Sequence, residues 1–184
     1  MKLFLDACVL YPVATREILL GYARAGGFAP LWSARVLAEW ARAAAAKLGP
    51  EDEARARGDA ALMSAWFHGG MVEGYEAREA EVWSPDAADA HVIAAAVEGG
   101  AEGIVTFNTR DFPLKELRRL GLERLHPDGF LAARLRGGDE ALATTMEPLA
   151  KIAAARGATM RKFLKRAALP RLGKAWEARD TGLE

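Results

Sequence analysis

Four carboxylates in this 184-residue chain stand where side chains do chemistry. Asp6 ends the apolar run Leu3-Phe4-Leu5, and Asp111 lies just past a second run, Gly103-Ile104-Val105-Thr106-Phe107. Glu39 is three positions from Val36 and four from Ala43, so it follows the margin of an apolar helix stripe. Asp89 has the same relation to Val92, Ile93 and Ala96. Each acid alone has an ordinary reading: a loop cap for Asp6, an ion pair with Arg42 for Glu39, a first-turn acid for Asp89, a helix cap for Asp111. An ionised acid among core-facing residues nevertheless needs a partner. Four acids converging on one place would repel one another unless a cation sat among them. Oxygen donors without thiolates or convergent histidines favour Mg²⁺ or Mn²⁺ over zinc.

The other chemically active residue types narrow the field. His68, His91 and His126 make no metal-ligand spacing and read as surface or packing histidines. Cys8, the only cysteine, reads as a small buried hydrophobe and has no disulfide partner within the chain. Phosphate-loop, dinucleotide and serine-hydrolase signatures do not occur. The five tryptophans and seven phenylalanines fall mostly at core positions, so no stacking platform for bases is expected.

The elements that must position the acids follow from pattern. Residues 2–5 read as a buried strand entering a loop, with Thr15 capping a helix that stops at Gly26-Gly27. After a brief Ala29–Trp32 segment, Ser33 caps a helix to about Leu48 with the stripe Val36, Leu37, Trp40, Ala44 and Leu48. Another helix runs from near Glu51 to Trp66, before a weak strand near residues 71–75. Ser84-Pro85 signals a helix to Glu98, then come a strand at 103–107, a loop at 108–113, a helix at 114–120 and a short strand at 122–125. Short apolar strands alternating with helices predict an α/β/α sandwich around a parallel sheet. Beyond Pro127 only helices are expected, near 128–136, 139–156, 158–168 and 171–179.

Composition adds a partition. The chain carries 25 basic and 25 acidic side chains and is 51% hydrophobic, as a soluble globular protein would be. Residues 1–113 hold 10 basic and 16 acidic residues, a net −6, while residues 114–184 hold 15 and 9, a net +6. No acid occurs between Glu147 and Glu177, a stretch suited to a polyanion or an acidic protein. An early charge excludes a signal peptide and no apolar run spans a membrane, so a cytoplasmic protein is expected.

Four segments together resemble the PIN-domain ribonucleases, and within them the VapC-like toxins of type II toxin-antitoxin systems. They are Phe4-Leu5-Asp6-Ala7-Cys8-Val9-Leu10-Tyr11-Pro12, the stretch from Trp32 to Trp40 with Glu39, the helix Asp86-Ala87-Ala88-Asp89-Ala90-His91-Val92-Ile93, and Ile104-Val105-Thr106-Phe107-Asn108-Thr109-Arg110-Asp111. The resemblance covers roughly residues 1–130. It implies a PIN-like nuclease domain over 1–130 and a helical C-terminal addition over 131–184. It matches Asp6, Glu39, Asp89 and Asp111 to the four family acids, with Thr106 and Asn108 as polar residues beside the metal. Relatives often carry Asp and Arg where Ala88 and Ala90 stand, which makes Asp86 a lower-ranked substitute.

The resemblance thus implies a Mg²⁺- or Mn²⁺-dependent endoribonuclease. It also implies a cognate antitoxin and a homodimer. It assigns no role to the tail; because an acidic cleft repels RNA, charge alone makes Arg110 and the tail's basic segment candidates to hold phosphates, the tail otherwise suiting an acidic antitoxin. Two other classes compete. An aspartyl-phosphate phosphohydrolase would want an acid at position 8, where Cys8 stands, and a lysine after the 103–107 strand. A non-catalytic PIN-like module would bind RNA or protein and leave RNA uncut.

Overall fold

The computed structural model describes residues 1–181, apart from the side chains of Leu48 and Thr181, so the Leu48 end of the expected helix stripe lies outside the described residues. Two compact units result, one of Met1–Tyr11 with Phe28–Leu125 and one of Pro12–Gly27 with His126 onward. Among the described residues no helix is long and apolar enough to cross a membrane.

In the first unit the short apolar runs become strands: β1 (Lys2–Leu5), β2 (Ala29–Ser33), β3 (Met71–Val72), β4 (Gly103–Val105) and β5 (Glu123–Leu125). They form one sheet in the order β3-β2-β1-β4-β5, and every neighbouring pair is parallel. Leu3, Phe4, Leu5, Leu31, Trp32, Ile104 and Val105 are buried, as a sheet covered on both faces requires. Gly103 permits the β4–β5 approach, because a Cβ there would lie 2.9 Å from the Glu123 carbonyl oxygen.

Parallel neighbours need crossovers. After β1 come α1 (Ala7–Leu10) and α2 (Val13–Arg24), the latter in the second unit. Within the first unit α3 (Ala34–Leu48) and α4 (Pro50–Trp66) join β2 to β3. A 3-10 turn (Glu76–Glu81), a second one (Ala87–Asp89) and α5 (Ala90–Glu98) lead to β4, and α6 (Leu114–Arg119) leads to β5. The expected parallel α/β architecture is what the chain adopts.

Four local expectations are corrected. The segment after Asp6 is the short helix α1, not open loop. Thr15 does not cap α2; Pro12 holds that position, and the Thr15 hydroxyl is buried inside the helix without a hydrogen-bond partner. The Ala29–Trp32 segment is β2, a strand beside β1. Ser84-Pro85 starts no helix; Asp86 caps the second 3-10 turn by accepting the Ala88 N–H at 2.9 Å, and α5 starts only at Ala90. Ser33 does cap α3, accepting the Val36 N–H at 3.3 Å. Trp32 and Trp40 are core residues, whereas Trp66 and Trp83 are exposed.

The second unit comprises α2, α7 (Pro127–Arg136), α8 (Glu140–Ala155), α9 (Met160–Arg166) and α10 (Pro170–Thr181). Its helices follow the expected positions to within a few residues. There α2 packs on α8, and α10 on α7 and α9. Ile18, Leu19, Tyr22, Leu131, Leu142, Met146, Leu164 and Leu172 form its interior.

Candidate active site

The strand order reverses about β1, whose neighbour on one side is β2 and on the other β4. In such sheets ligands enter at the carboxyl ends beside the reversal. Asp6 directly follows β1, its backbone N–H donating to Val105 O at 3.2 Å. Thr106 directly follows β4 and is fully buried. Its hydroxyl donates to Asp6 Oδ2 at 2.6 Å, and the Cys8 thiol donates to the same oxygen at 2.9 Å. Cys8 Sγ in turn accepts the Phe107 N–H at 3.2 Å. Burial first, then the Asp6 charge, pushes the Cys8 thiol up to about 12. Cys8 is therefore a protonated donor that orients Asp6, a polar role that its reading as a packing residue did not include.

Asn108 links the remaining acids. Its backbone N–H donates to Thr106 Oγ1 at 2.9 Å. Its side-chain amide donates to Asp89 Oδ2 at 3.2 Å and to Asp111 Oδ2 at 2.6 Å. Asp89 sits at the junction of the second 3-10 turn and α5. Burial, followed by the charges of Asp6, Asp111 and Asp86 and opposed by His91, pushes the Asp89 carboxyl up to about 6. The loop carrying Asp111 is fastened from two sides. Ser84 Oγ donates to Asp111 O at 2.7 Å, and Arg124 from β5 donates to Thr109 O at 2.6 Å and Phe112 O at 3.0 Å.

Asp6, Asp89, Asp111, Thr106 and Asn108 thus gather in one place. Glu39 is held otherwise. Its Oε1 accepts from His91 Nε2 at 3.1 Å and Arg35 Nε at 3.3 Å. Burial opposes its charge, but the His91 hydrogen bond and charge, with Arg35, hold its carboxyl below the usual carboxylate range. Arg42 plays no part in this pairing. His91 is only 1% exposed. Sequence spacing turned it away from Asp89 and gave no sign of Glu39, because the contact joins α3 to α5 across more than fifty residues. Ser84 and Arg124 escaped for the same reason, their partners being backbone atoms of a distant loop, whereas Cys8 has its partner Asp6 only two residues away and was read as packing because a lone cysteine is more often a small hydrophobe.

The cluster's donors suit a hard divalent cation: they are oxygen atoms, and burial followed by the charges of the neighbouring acids disfavours the ionised form of Asp89 when no cation is present. As the side chains stand, no three His, Cys, Asp or Glu among the described residues converge closely enough to ligate one ion.

Sheet order and acid cluster define a parallel α/β domain with its acids at the carboxyl ends of β1 and β4. The family model described as PIN domain matches residues 2–110, and the chain belongs to that family. It is also similar to a Mycobacterium tuberculosis protein named "Putative ribonuclease VapC50", 49% identical over 47 residues, which is 26% of this chain and 28% of that one. The match therefore covers a little over a quarter of that relative's length. No solved structure is recognisably similar to the chain.

Proposed function

We propose that the chain is a divalent-cation-dependent endoribonuclease and the toxin of a toxin-antitoxin pair. The observation that carries this reading is the gathering of Asp6, Asp89 and Asp111 at the carboxyl ends of β1 and β4, with Asp89 pushed up to about 6 by burial and then by the charges of its neighbours. Activity is assigned to residues 1–130, with 131–184 as a helical addition.

Asp6, Asp89 and Asp111 would hold Mg²⁺ or Mn²⁺, with Glu39 as the fourth acid. When bound, the ion supplies activation of a water and stabilisation of charge on a phosphodiester. Thr106 and Cys8 fix Asp6 through one oxygen and leave the other for ligation. Asn108 spans Asp89 and Asp111 through one oxygen of each, Oδ2, and so leaves the other oxygen of both for ligation. His91 and Arg35 keep Glu39 ionised. Arg110 is exposed next to Asp111, where it can meet a phosphate. The phosphohydrolase alternative loses its general acid, since position 8 holds a thiol bound to Asp6.

Asp6→Asn and Asp89→Asn are each expected to abolish cation-dependent cleavage of single-stranded RNA with the circular dichroism unchanged. Full activity in either purified variant would sink the assignment. A cognate antitoxin and a homodimer belong to the same reading. Co-purification with the product of a neighbouring small gene, and loss of cleavage on its addition, test the partner.

A further inference from the structure

The second unit carries a surface that the acid cluster does not use. Between Glu147 and Glu177 the sequence holds eight Lys and Arg and no acid. Of these eight, Arg161 alone has an acidic partner among the described residues, Glu177 at 2.5 Å. The helix α9 is the centre of the stretch. Met160 and Leu164 are buried and Phe163 half-buried, which leaves Lys162, Lys165 and Arg166 pointing to solvent.

A pocket opens on each side of α9. Arg156, at the end of α8, and Arg166 border one of about 370 Å³ whose apolar floor includes Phe163, Ala153 and Ala167. Lys165 and Arg171 border the other, of about 660 Å³, together with His126. Asp128 also lines it, but its carboxylate is taken up by the N–H groups of Arg171 and Leu172, at 3.0 and 2.8 Å. Consecutive residues Lys165 and Arg166 therefore put one cation over each pocket.

We propose that the α9 ridge and its two pockets bind single-stranded RNA, with Arg156, Lys165, Arg166 and Arg171 on phosphates and a base seated against Phe163. The choice of RNA among polyanions rests on the nuclease reading; the cationic surface does not. Guanidinium forks match phosphate oxygens, and an aromatic beside a basic track is what unstacked bases require. An acidic protein fits less well. A protein interface is built around a broad apolar or aromatic centre, and among the described residues of this unit the exposed large hydrophobic side chains are Val13, at the rim of the first pocket, and Ile152.

The experiment uses the full chain in EDTA, where cleavage is off, and a short fluorescein-labelled RNA single strand, with affinity read by anisotropy over a KCl series. Each phosphate contact contributes about −0.7 to the slope of log K against log salt. Replacing Arg156, Lys165, Arg166 and Arg171 together by Ala is expected to flatten the slope by about 2 to 3 and weaken binding roughly 100-fold near physiological salt. Phe163→Leu keeps the slope and weakens binding about 10-fold through lost stacking. Lys165→Ala with Arg166→Ala, at two exposed positions, serves if the fourfold variant melts early, and should flatten the slope by about 1.

An unchanged slope and affinity in these variants overturns the proposal. So does competition by polyglutamate as strong as that by RNA, which would make this an acidic-protein face. The two readings separate cleanly. Wild-type protein that binds with the expected slope but never cleaves with Mg²⁺ or Mn²⁺ removes the nuclease and keeps the surface. Cleavage by wild type with unaltered binding by the fourfold variant does the reverse.

Discussion

The Asp89 carboxyl, held up to about 6 by burial and then by Asp6, Asp111 and Asp86, keeps a proton in the folded chain that the unfolded chain gives up near the ordinary 3.8 of an aspartate. Its contribution to stability is therefore present below about pH 4 and is lost as pH rises through about 6. On a half-exposed side chain, discounted for solvent screening, this amounts to on the order of 1 kcal/mol. Asp89→Asn should raise the EDTA-treated melting temperature at pH 7 by about 2 to 4 °C, and by less at pH 4. Mn²⁺ should stabilise wild type more than the variant. Calorimetry at both pH values decides it, and a variant that melts below wild type at pH 7 in EDTA contradicts the repulsion. At this scale the sequence was half legible. Acid positions after strands and along apolar stripes could be read from local spacing. Which atom each acid touches could not, since Thr106 meets Asp6, His91 meets Glu39 and Arg124 meets Thr109 only after the sheet has formed.

Among the elements, the strands with uninterrupted apolar runs and the glycine-bounded helices were readable, because burial and caps are local signals. β2 was not. Pro30 sits inside it opposite Leu3, and a residue without an N–H demotes a run that reads as a strand only once β1 is beside it. Capping across distance was equally hidden. Asp128, in the first turn of α7, is 4% exposed and accepts the Arg171 and Leu172 N–H groups that open α10, forty-three and forty-four residues on. Asp128→Ala leaves two donors at a buried helix start, a loss of about 2 kcal/mol. Its thermal midpoint should fall by about 4 to 8 °C, and Asp128→Asn should recover part of the loss. A midpoint within 1 °C of wild type for the alanine variant would show that solvent satisfies those donors.

For the whole molecule, the net charge of zero conceals the division between an acidic first part and a basic second part that sequence alone revealed. Sequence did not reveal that α2, early in the chain, belongs with the late helices. The reason is that an amphipathic helix announces a buried face but not what covers it. Here α8 packs on α2, Tyr22 lies 6.4 Å from Phe130 between ring centres, and the Tyr22 hydroxyl donates to Asp139, which itself caps α8 by accepting the Leu142 N–H at 3.1 Å. Burial and the Asp139 hydrogen bond push the Tyr22 phenol up to about 12. A chain cut after residue 130 contains every residue of the proposed site and the whole family match, yet it loses α8 and Asp139. Ile18, Leu19 and Tyr22 would then face water, at about 1.5 to 3 kcal/mol for each large apolar side chain. Together these losses approach the whole stability of an ordinary domain, about 5 to 15 kcal/mol. Residues 1–130 should therefore be recovered mainly as aggregate, or bind a hydrophobic dye and melt without cooperativity, while the full chain stays monodisperse. Adding Asp→Asn changes in the acid cluster should not rescue the fragment, since the defect lies in α2. A monodisperse 1–130 fragment melting cooperatively near the temperature of the full chain would show that α2 finds cover without α8.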